Sequence, residues 1–279
     1  MLSRPLLFFI VIFFKLPLFI LHLLGGFLGR MAYQFDRRFK ERIDINLERA
    51  FPLSDANDLK KLTSLAIREI GKCLMEAPAI WFNSPQKNFR WVRQCYGWEH
   101  VEAALKNKKG IIFLTPHLGC FEITAQYYAH FHPITVLFKR PKQKWLADIV
   151  LSGRRHSNIH LAEANIQGVK QLMQALKKGE AIGILPDQVP HEGQGEWTQF
   201  FNTPAYTMTL VSKLAESSKA TVLIGFGHRL LKGGGYEVFI EPLGSDHSPQ
   251  GINDQLELLI RKYPTQYLWN YQRFKKPNK

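Results

Sequence analysis

The sequence predicts an α/β protein in which a mostly parallel central sheet is flanked by helices, behind an N-terminal membrane-anchoring helix. Three observations lead to this prediction. After Gly97, short apolar runs alternate with stretches of helical periodicity, which is typical of parallel strands joined by helices. A run of three glycines, residues 233–235, precedes the last apolar run and predicts an antiparallel edge. The first thirty residues are almost entirely apolar.

The apolar N-terminal segment extends from Pro5 to Gly29 and is interrupted only by Lys15 and His22. About twenty apolar residues are needed to cross a bilayer, so the segment is long enough to enter a membrane. Pro17 predicts a bend, which leaves open one kinked crossing or a hairpin that enters a single leaflet. No small-residue cleavage site follows, which argues against a cleaved signal peptide. A buried core helix is the other alternative to a membrane anchor.

The charges that flank this segment are asymmetric. Only Arg4 precedes it, whereas the basic residues that follow closely are Arg30, Arg37, Arg38, Lys40 and Arg42. The positive-inside rule therefore predicts that residues 30–279 lie on the cytoplasmic side. The same basic residues are expected to contact anionic head groups at the membrane surface.

The composition restricts the class of protein and its partners. The 279 residues are 46% hydrophobic and 22% charged, so the chain can bury a sizeable core and is not disordered. A net charge of +14 indicates an anionic partner. Nucleic acid is not expected, because the sequence has no recognised binding motif and no ladder of aromatic and basic residues. The three cysteines, Cys73, Cys95 and Cys120, form no CxxC pair, which excludes a disulfide framework and a zinc site.

The remaining elements can be assigned in chain order. Between residues 41 and 82, apolar residues recur at helical spacing, and Pro52 separates two helices. The predicted elements that follow are a helix over 99–108, strands over 111–115 and 134–138, a helix over 144–155, a strand over 158–162, a helix over 167–178, a strand over 181–185, a glycine-rich loop over 191–195, a helix over 206–217, strands over 221–227 and 236–243, and a helix over 254–262.

Candidate catalytic residues follow the first of these strands. His117 and Glu122 would point about 140° apart on a straight helix, so they meet only if Pro116 and Gly119 introduce a turn. A carboxylate on one imidazole nitrogen fixes the tautomer, and the other nitrogen can then take a proton from a hydroxyl. The alternative is a structural histidine bonded to the backbone. The position at the carboxyl end of a strand, where α/β sheets bind ligands, favours the catalytic interpretation.

The segment PHLGCFE around these residues resembles the H-x4-D/E block of the glycerolipid acyltransferase superfamily. More narrowly, it resembles the lipid A biosynthesis (late) acyltransferases of Gram-negative bacteria, although Pro116 and Phe121 replace the Asn and Trp that are typical there. The resemblance continues through LPDQ (185–188), FFNTPAYT (200–207) and PTQYLWNYQRFK (264–275). It covers nearly the whole chain and implies a membrane anchor over 1–29 and an acyltransferase domain over 30–279.

The resemblance also implies a reaction. A fatty acyl group would pass from acyl carrier protein to a hydroxyl on a 3-hydroxyacyl chain of a lipid A precursor, at the cytoplasmic face of the bacterial inner membrane and without a metal or cofactor. His117 would act as general base with Glu122 as its orienting partner. The thioester carbonyl would become an oxyanion that needs hydrogen-bond donors, and we expect the backbone amides around Gly119 and Cys120 to supply them.

Further residues would bind the acceptor. Arginine suits its phosphates because the guanidinium group can donate two parallel hydrogen bonds. The residues expected here are Arg140, Arg154 and Arg155, together with Asp187 and Gln188 of the LPDQ block. A solvated or lipid-facing basic surface is the alternative for the arginines, and a helix cap or turn is the alternative for Asp187.

Other functions remain open at this point. The acceptor could be a lysophospholipid or an aminolipid, and the donor could be acyl-CoA, since both donors are acidic. A lipid hydrolase would need a protein nucleophile, and the sequence contains no G-x-S-x-G elbow. A non-catalytic lipid-binding protein with the same fold is the alternative outside enzymology.

Overall fold

The computed structural model describes residues 4–141, 143–154 and 158–278. The helices in this part of the chain are α1 (Arg4–Phe14), α2 (Leu18–Phe35), α3 (Arg37–Ala50), α4 (Ala56–Phe82), α5 (Pro85–Trp91), α6 (Trp98–Lys106), α7 (Phe121–Tyr128), α8 (Lys144–Arg154), α9 (Ile166–Lys177), α10 (Leu210–Ser218) and α11 (Pro249–Lys262). The strands are β1 (Val92–Tyr96), β2 (Ile111–Leu114), β3 (Ile134–Phe138), β4 (Ile159–Glu163), β5 (Ala181–Ile184), β6 (Gly195–Phe200), β7 (Thr203–Met208), β8 (Thr221–Arg229) and β9 (Tyr236–Pro242).

Seven strands form the central sheet in the order β1-β9-β8-β2-β5-β3-β4. The five strands from β8 to β4 are parallel, whereas β9 is antiparallel to β8, and β1 is parallel to β9. Two strands at one edge therefore run against the other five. This confirms the predicted α/β fold with a mostly parallel sheet, flanking helices and an antiparallel edge.

The central strands β2 and β5 lie side by side and are buried along their whole length. Their sequences, IIFL and AIGI, are continuous apolar runs because helices cover both faces of the sheet. Ile112 and Leu114 pack on one side of the sheet, and Ile111 and Phe113 pack on the other.

The structure differs from the sequence prediction around residue 206. The expected helix over 206–217 begins only at Leu210, because Thr203–Met208 forms β7 and pairs antiparallel with β6. Phe201 and Asn202 make the two-residue turn between these strands, with φ of 48° and 54°. Positive φ at a phenylalanine is rare, so the usual turn signals do not mark this hairpin. β1 and α7 were not predicted either.

Pro17 divides the apolar N-terminus into α1 and α2, as the sequence predicts. α2 is the helix of the described residues that is long and apolar enough to cross a membrane, and it continues past residue 29 to Phe35. One side of α2 packs closely against α4. A Cβ atom at Gly29 would lie 2.0 Å from the carbonyl oxygen of Ile67, so this approach requires glycine.

A buried ion-pair network connects α2, α4 and β8. His22 Nε2 lies 2.6 Å from Glu76 Oε1, and the Arg229 guanidinium donates to both oxygens of the same carboxylate at 2.6 Å. Burial by itself raises the pKa of Glu76, but Arg229 and His22 outweigh it and bring the pKa down to about 2. The charge on Glu76 is therefore matched inside the protein.

Candidate active site

The site forms where two neighbouring parallel strands end. The register pairs Leu114 at the end of β2 with Ile184 at the end of β5, and Thr115 continues this pairing through its backbone N–H. His117 follows β2 and Asp187 follows β5 at the same short distance along the chain. Adjacent strands therefore bring together two residues that are far apart in sequence.

The imidazole of His117 is held by Asp187. Its Nδ1 lies 2.8 Å from Asp187 Oδ1, and its backbone N–H donates to Oδ2 at 2.9 Å. Asp187 is only 2% exposed. Burial acts to raise the pKa of this carboxyl group, but the hydrogen bonds and charge of His117 outweigh it, so the pKa lies below its ordinary value. Asp187 thus remains an anion that accepts from Nδ1.

The second imidazole nitrogen lies beside Gln188. The distance between His117 Nε2 and Gln188 Nε2 is 3.1 Å. If Nδ1–H donates to Asp187, Nε2 carries a lone pair and accepts from the Gln188 amide. This is the tautomer that a general base requires. The structure therefore brings together three of the residues expected in the site: His117, Asp187 and Gln188.

The expectation that Glu122 orients His117 is wrong in this structure. The buried Glu122 carboxylate accepts from Trp81 Nε1 at 3.1 Å and from Arg154 Nε at 3.1 Å, and Arg154 Nη2 donates to its other oxygen. Glu122 lies in the first turn of α7, and its side chain is hydrogen-bonded to residues of α4 and α8. The sequence spacing suggested the wrong partner because the residue that reaches Nδ1 comes from a neighbouring strand.

Two of the amides in the predicted oxyanion region, those of Gly119 and Cys120, already donate to carbonyl groups of the protein. The N–H of Gly119 donates to the Gln266 carbonyl at 2.9 Å, and the N–H of Cys120 donates to the Gly227 carbonyl at 2.8 Å. Both amides are therefore used to hold the loop. Gly119 has φ of +60°, and a Cβ atom there would lie 2.1 Å from the Gly227 oxygen, so this position accepts only glycine.

A mainly apolar cavity lies between α7 and the sheet. Side chains of the central strands line it, among them Phe113, Val136 and Ile184, while Gly183 and Gly225 leave space on the sheet surface. Glu122 and Arg154 are the charged residues of its lining. Phe121 also lines the cavity, and its ring centroid is 4.8 Å from that of His117, so the cavity begins next to the imidazole.

The three predicted arginines are placed differently. Arg154 joins the site through Glu122, and its guanidinium lies 5.5 Å from the Trp81 ring centroid. Arg140 is 53% exposed and pairs with Glu163 in a separate groove beside β4 and α9. Arg155 lies outside the described residues. Of the two predicted phosphate contacts that the structure describes, Arg154 lines the cavity and Arg140 does not.

Several residues of the site were not predicted. Trp81 comes from α4, far upstream of the motif, and no sequence signal pointed to it. Gln266 lies in the closing PTQYLW segment, but its hydrogen bond to Gly119 depends on the fold.

Burial raises the pKa of the Cys120 thiol well above its ordinary value, which is unsuited to a nucleophile. Among the described residues, no group of three or more His, Cys, Asp or Glu could hold a metal ion.

Known proteins share this sequence pattern along nearly the whole chain. The family described as bacterial lipid A biosynthesis acyltransferase matches residues 6–276. The chain belongs to this family. This membership confirms the resemblance and places the chain among the acyltransferases.

Curated relatives agree with this membership. The lipid A biosynthesis lauroyltransferase of Escherichia coli K12 is 27% identical, with 94% of this chain and 87% of the relative covered. The palmitoleoyltransferase of the same strain is 26% identical, with 94% and 87% covered. A lipid A biosynthesis acyltransferase of Haemophilus influenzae is 25% identical, with 95% and 85% covered.

Proposed function

We propose that this protein transfers a fatty acyl group from acyl carrier protein to the hydroxyl of a 3-hydroxyacyl chain on a lipid A precursor. One observation carries the proposal: His117 is fixed through Nδ1 by the buried Asp187 beside an apolar cavity. An oriented base without a protein nucleophile suits a reaction in which the substrate hydroxyl is the nucleophile. The relatives named as lauroyl- and palmitoleoyltransferases support an acyl group as the transferred group.

In the proposed reaction, His117 Nε2 accepts the proton of the substrate hydroxyl. The hydroxyl oxygen attacks the thioester carbonyl carbon and forms a new C–O bond, and the C–S bond then breaks. The proton on His117 passes to the departing thiolate, so the base is restored. Asp187 stabilises the transient imidazolium, because its carboxylate accepts from Nδ1 throughout. When the acceptor binds, its hydroxyl would replace the Gln188 amide as the hydrogen-bond partner of His117 Nε2.

The negative charge that develops on the carbonyl oxygen needs donors other than Gly119 and Cys120. α7 begins at Phe121, so the N–H groups of Phe121 and Glu122 have no acceptor within the helix. Both residues line the cavity. We assign the oxyanion to this first helical turn, where the helix dipole also favours negative charge.

The apolar cavity would hold the acyl chain of the donor. Most of its lining residues are Val, Ile, Leu, Phe, Ala or Gly, which suits a hydrocarbon chain. Arg154 at its polar end would contact a phosphate or carbonyl oxygen of the acceptor. Arg140, in its separate groove, and Arg155 would provide further contacts to the acceptor. The net charge of +14 is consistent with an acidic donor protein and an anionic membrane on the cytoplasmic face.

The experiment is acyl transfer by the purified protein in detergent micelles. The donors are acyl carrier proteins loaded with C10 to C16 chains, the acceptor is a Kdo-modified tetra-acyl lipid A precursor, and products are read by mass spectrometry. A new ester on the precursor is expected for wild type and is lost in His117→Ala. His160→Ala, which alters an exposed histidine of β4, is the matched control and keeps activity.

Other results would change the proposal in defined ways. Transfer that survives His117→Ala would assign the base elsewhere. Acylation of a lysophospholipid or an aminolipid, with none of the lipid A precursor, would keep the family and replace the acceptor. Equal rates with acyl-CoA would remove the requirement for acyl carrier protein. Binding of the precursor without transfer to any acceptor would indicate a non-catalytic lipid-binding protein.

A further inference from the structure

Helix α2 has two sharply different faces. Residues Leu18, Leu21, His22, Gly25, Gly26 and Gly29 are buried against the rest of the protein. The opposite side is a continuous exposed apolar stripe, consisting of Phe19, Leu23, Leu24, Phe27, Leu28, Met31 and Phe35. Such a stripe along a helix that packs on protein with its other side is typical of a helix that lies in the membrane interface.

The part of α4 on which α2 packs carries charged residues beside the contact. A Cβ atom at Gly26, in the middle of α2, would lie 3.8 Å from the Cβ atom of Arg68, and one at Gly25 would lie 2.8 Å from the Cα atom of Lys72. Glu69 of the same part of α4 is bound to Lys72 and Arg229. If α2 crossed the bilayer, its middle would carry these charged groups of α4 to the bilayer centre, where ionised side chains are most costly.

A second apolar element adjoins the beginning of α2. The tight turn between β8 and β9, Leu230–Gly235, packs on α2, since a Cβ atom at Gly233 would lie 2.4 Å from the Cα atom of Phe19. Leu231 at the tip of this turn is 82% exposed. Lys232 follows it, and Arg93 Nε donates to the Gly234 carbonyl behind it. An exposed leucine flanked by basic residues is suited to an anionic lipid surface.

We propose that the protein sits on one leaflet as a monotopic protein. The stripe of α2 lies in the plane of an anionic bilayer surface, and the Leu230–Gly235 turn inserts Leu231 beside it. Charge supports this occupant, because Lys15, Arg30 and Lys232 flank the apolar residues and match acidic head groups. The sequence leaves open one kinked crossing of the bilayer or a hairpin that enters a single leaflet. The proposed position on the membrane corresponds to the second of these. It rests on packing and exposure, and not on the proposed reaction.

The depth of α2 in the bilayer distinguishes the two arrangements. Single cysteines replace Phe19, Leu23, Phe27 and Met31 in a background without Cys73, Cys95 and Cys120, and each carries a spin label. The full-length protein is bound to vesicles of phosphatidylethanolamine and phosphatidylglycerol, and label depth is measured from oxygen and nickel accessibility. We expect similar shallow depths at all four sites. A depth that changes steadily over the roughly 18 Å between the first and last label would show a crossing and overturn the proposal.

The contribution of the turn is measured separately by vesicle flotation. Leu231→Glu is expected to weaken partitioning to these vesicles about tenfold, as for the loss of one partly inserted leucine. Leu258→Glu is the matched control, because Leu258 is also strongly exposed, at 62%, but lies on α11. Equal effects of the two substitutions on partitioning, or no effect of Leu231→Glu, would show that the turn does not contact the membrane. Acyl transfer in micelles should be unchanged in both variants, which separates this proposal from the proposed function.

Discussion

The carboxylate of Asp187 accepts two hydrogen bonds from His117, one from ring Nδ1 at 2.8 Å and one from the backbone N–H at 2.9 Å. One anion thus fixes the ring and also the loop that carries it. The pair exists because β2 and β5 are neighbours in the sheet.

Replacement of Asp187 should therefore affect the chemical step. In Asp187→Asn the side chain keeps its shape but can no longer accept with a full negative charge, so the imidazolium is not stabilised. We expect kcat to fall by about 10² to 10⁴. Glu122→Gln should lower kcat by less than about tenfold and mainly raise KM for the acceptor, because it loosens Arg154. Steady-state kinetics of both variants checks this, and the reverse order would return the orienting role to Glu122.

Substitution of Gly119 tests the loop geometry. Gly119→Ala places a Cβ atom 2.1 Å from the Gly227 oxygen and should abolish transfer, with a loss of several kcal/mol (about 3 or more) in the free energy of unfolding. Gly193 also has a positive φ, of +79°, but nothing lies within 4 Å of its Cβ position. Gly193→Ala should lower the free energy of unfolding by only about 1–2 kcal/mol, because it introduces backbone strain but no steric clash. Chemical denaturation in detergent compares them.

The buried Glu76 predicts a defined loss of stability in acid. Its pKa is about 2 in the folded protein, against 4.5 for an ordinary glutamate, so its stabilisation is complete above about pH 4.5 and is lost as the pH falls towards 2. Glu76→Gln should lower the free energy of unfolding by about 3 kcal/mol at pH 7 and flatten its decline over that range.

An exposed glutamate provides the control for this substitution. Glu41 is 51% exposed and pairs with Arg37 at the surface, so Glu41→Gln should change stability by less than about 0.5 kcal/mol. If the two variants unfold alike at pH 7, the network of His22, Glu76 and Arg229 does not stabilise the fold.

The cavity predicts a change in acyl-chain preference. A Cβ atom at Gly225 would enter the cavity and lie 3.8 Å from Phe113 Cδ1, which is ordinary van der Waals contact. Gly225→Ala should therefore fold normally and shift the products towards shorter chains, by about fourfold for the volume of one methyl group. Gly26→Ala adds the same methyl group away from the cavity and should leave the distribution unchanged. Mass spectrometry of products from mixed acyl donors measures the ratio.

Local sequence patterns predicted what depends on local structure. The apolar runs of the central strands identified β2, β3, β5 and β8, because strands buried on both faces must be apolar throughout. The same patterns cannot state which strands are neighbours. For this reason Asp187 was expected among the acceptor contacts, while Glu122, nearer in the chain, was expected to hold His117.

Hydrogen bonds that depend on the complete fold were equally inaccessible from sequence. The amides of Gly119 and Cys120 sit in the motif, as an oxyanion site would require, yet carbonyls of Gln266 and Gly227 occupy them. The two-residue turn at Phe201 and Asn202 was not predicted for a different reason, because neither of its two residues is glycine or proline.

The loop that carries His117 is closed by residues near the end of the chain. Gly119 donates to the Gln266 carbonyl, and the Leu268 N–H donates to the His117 carbonyl at 3.0 Å. During translation, the N-terminal apolar helices and the central strands leave the ribosome well before this closing segment does. The base therefore acquires its final position only after residues 266–268 have been synthesised, when the N-terminal helices can already have reached the membrane.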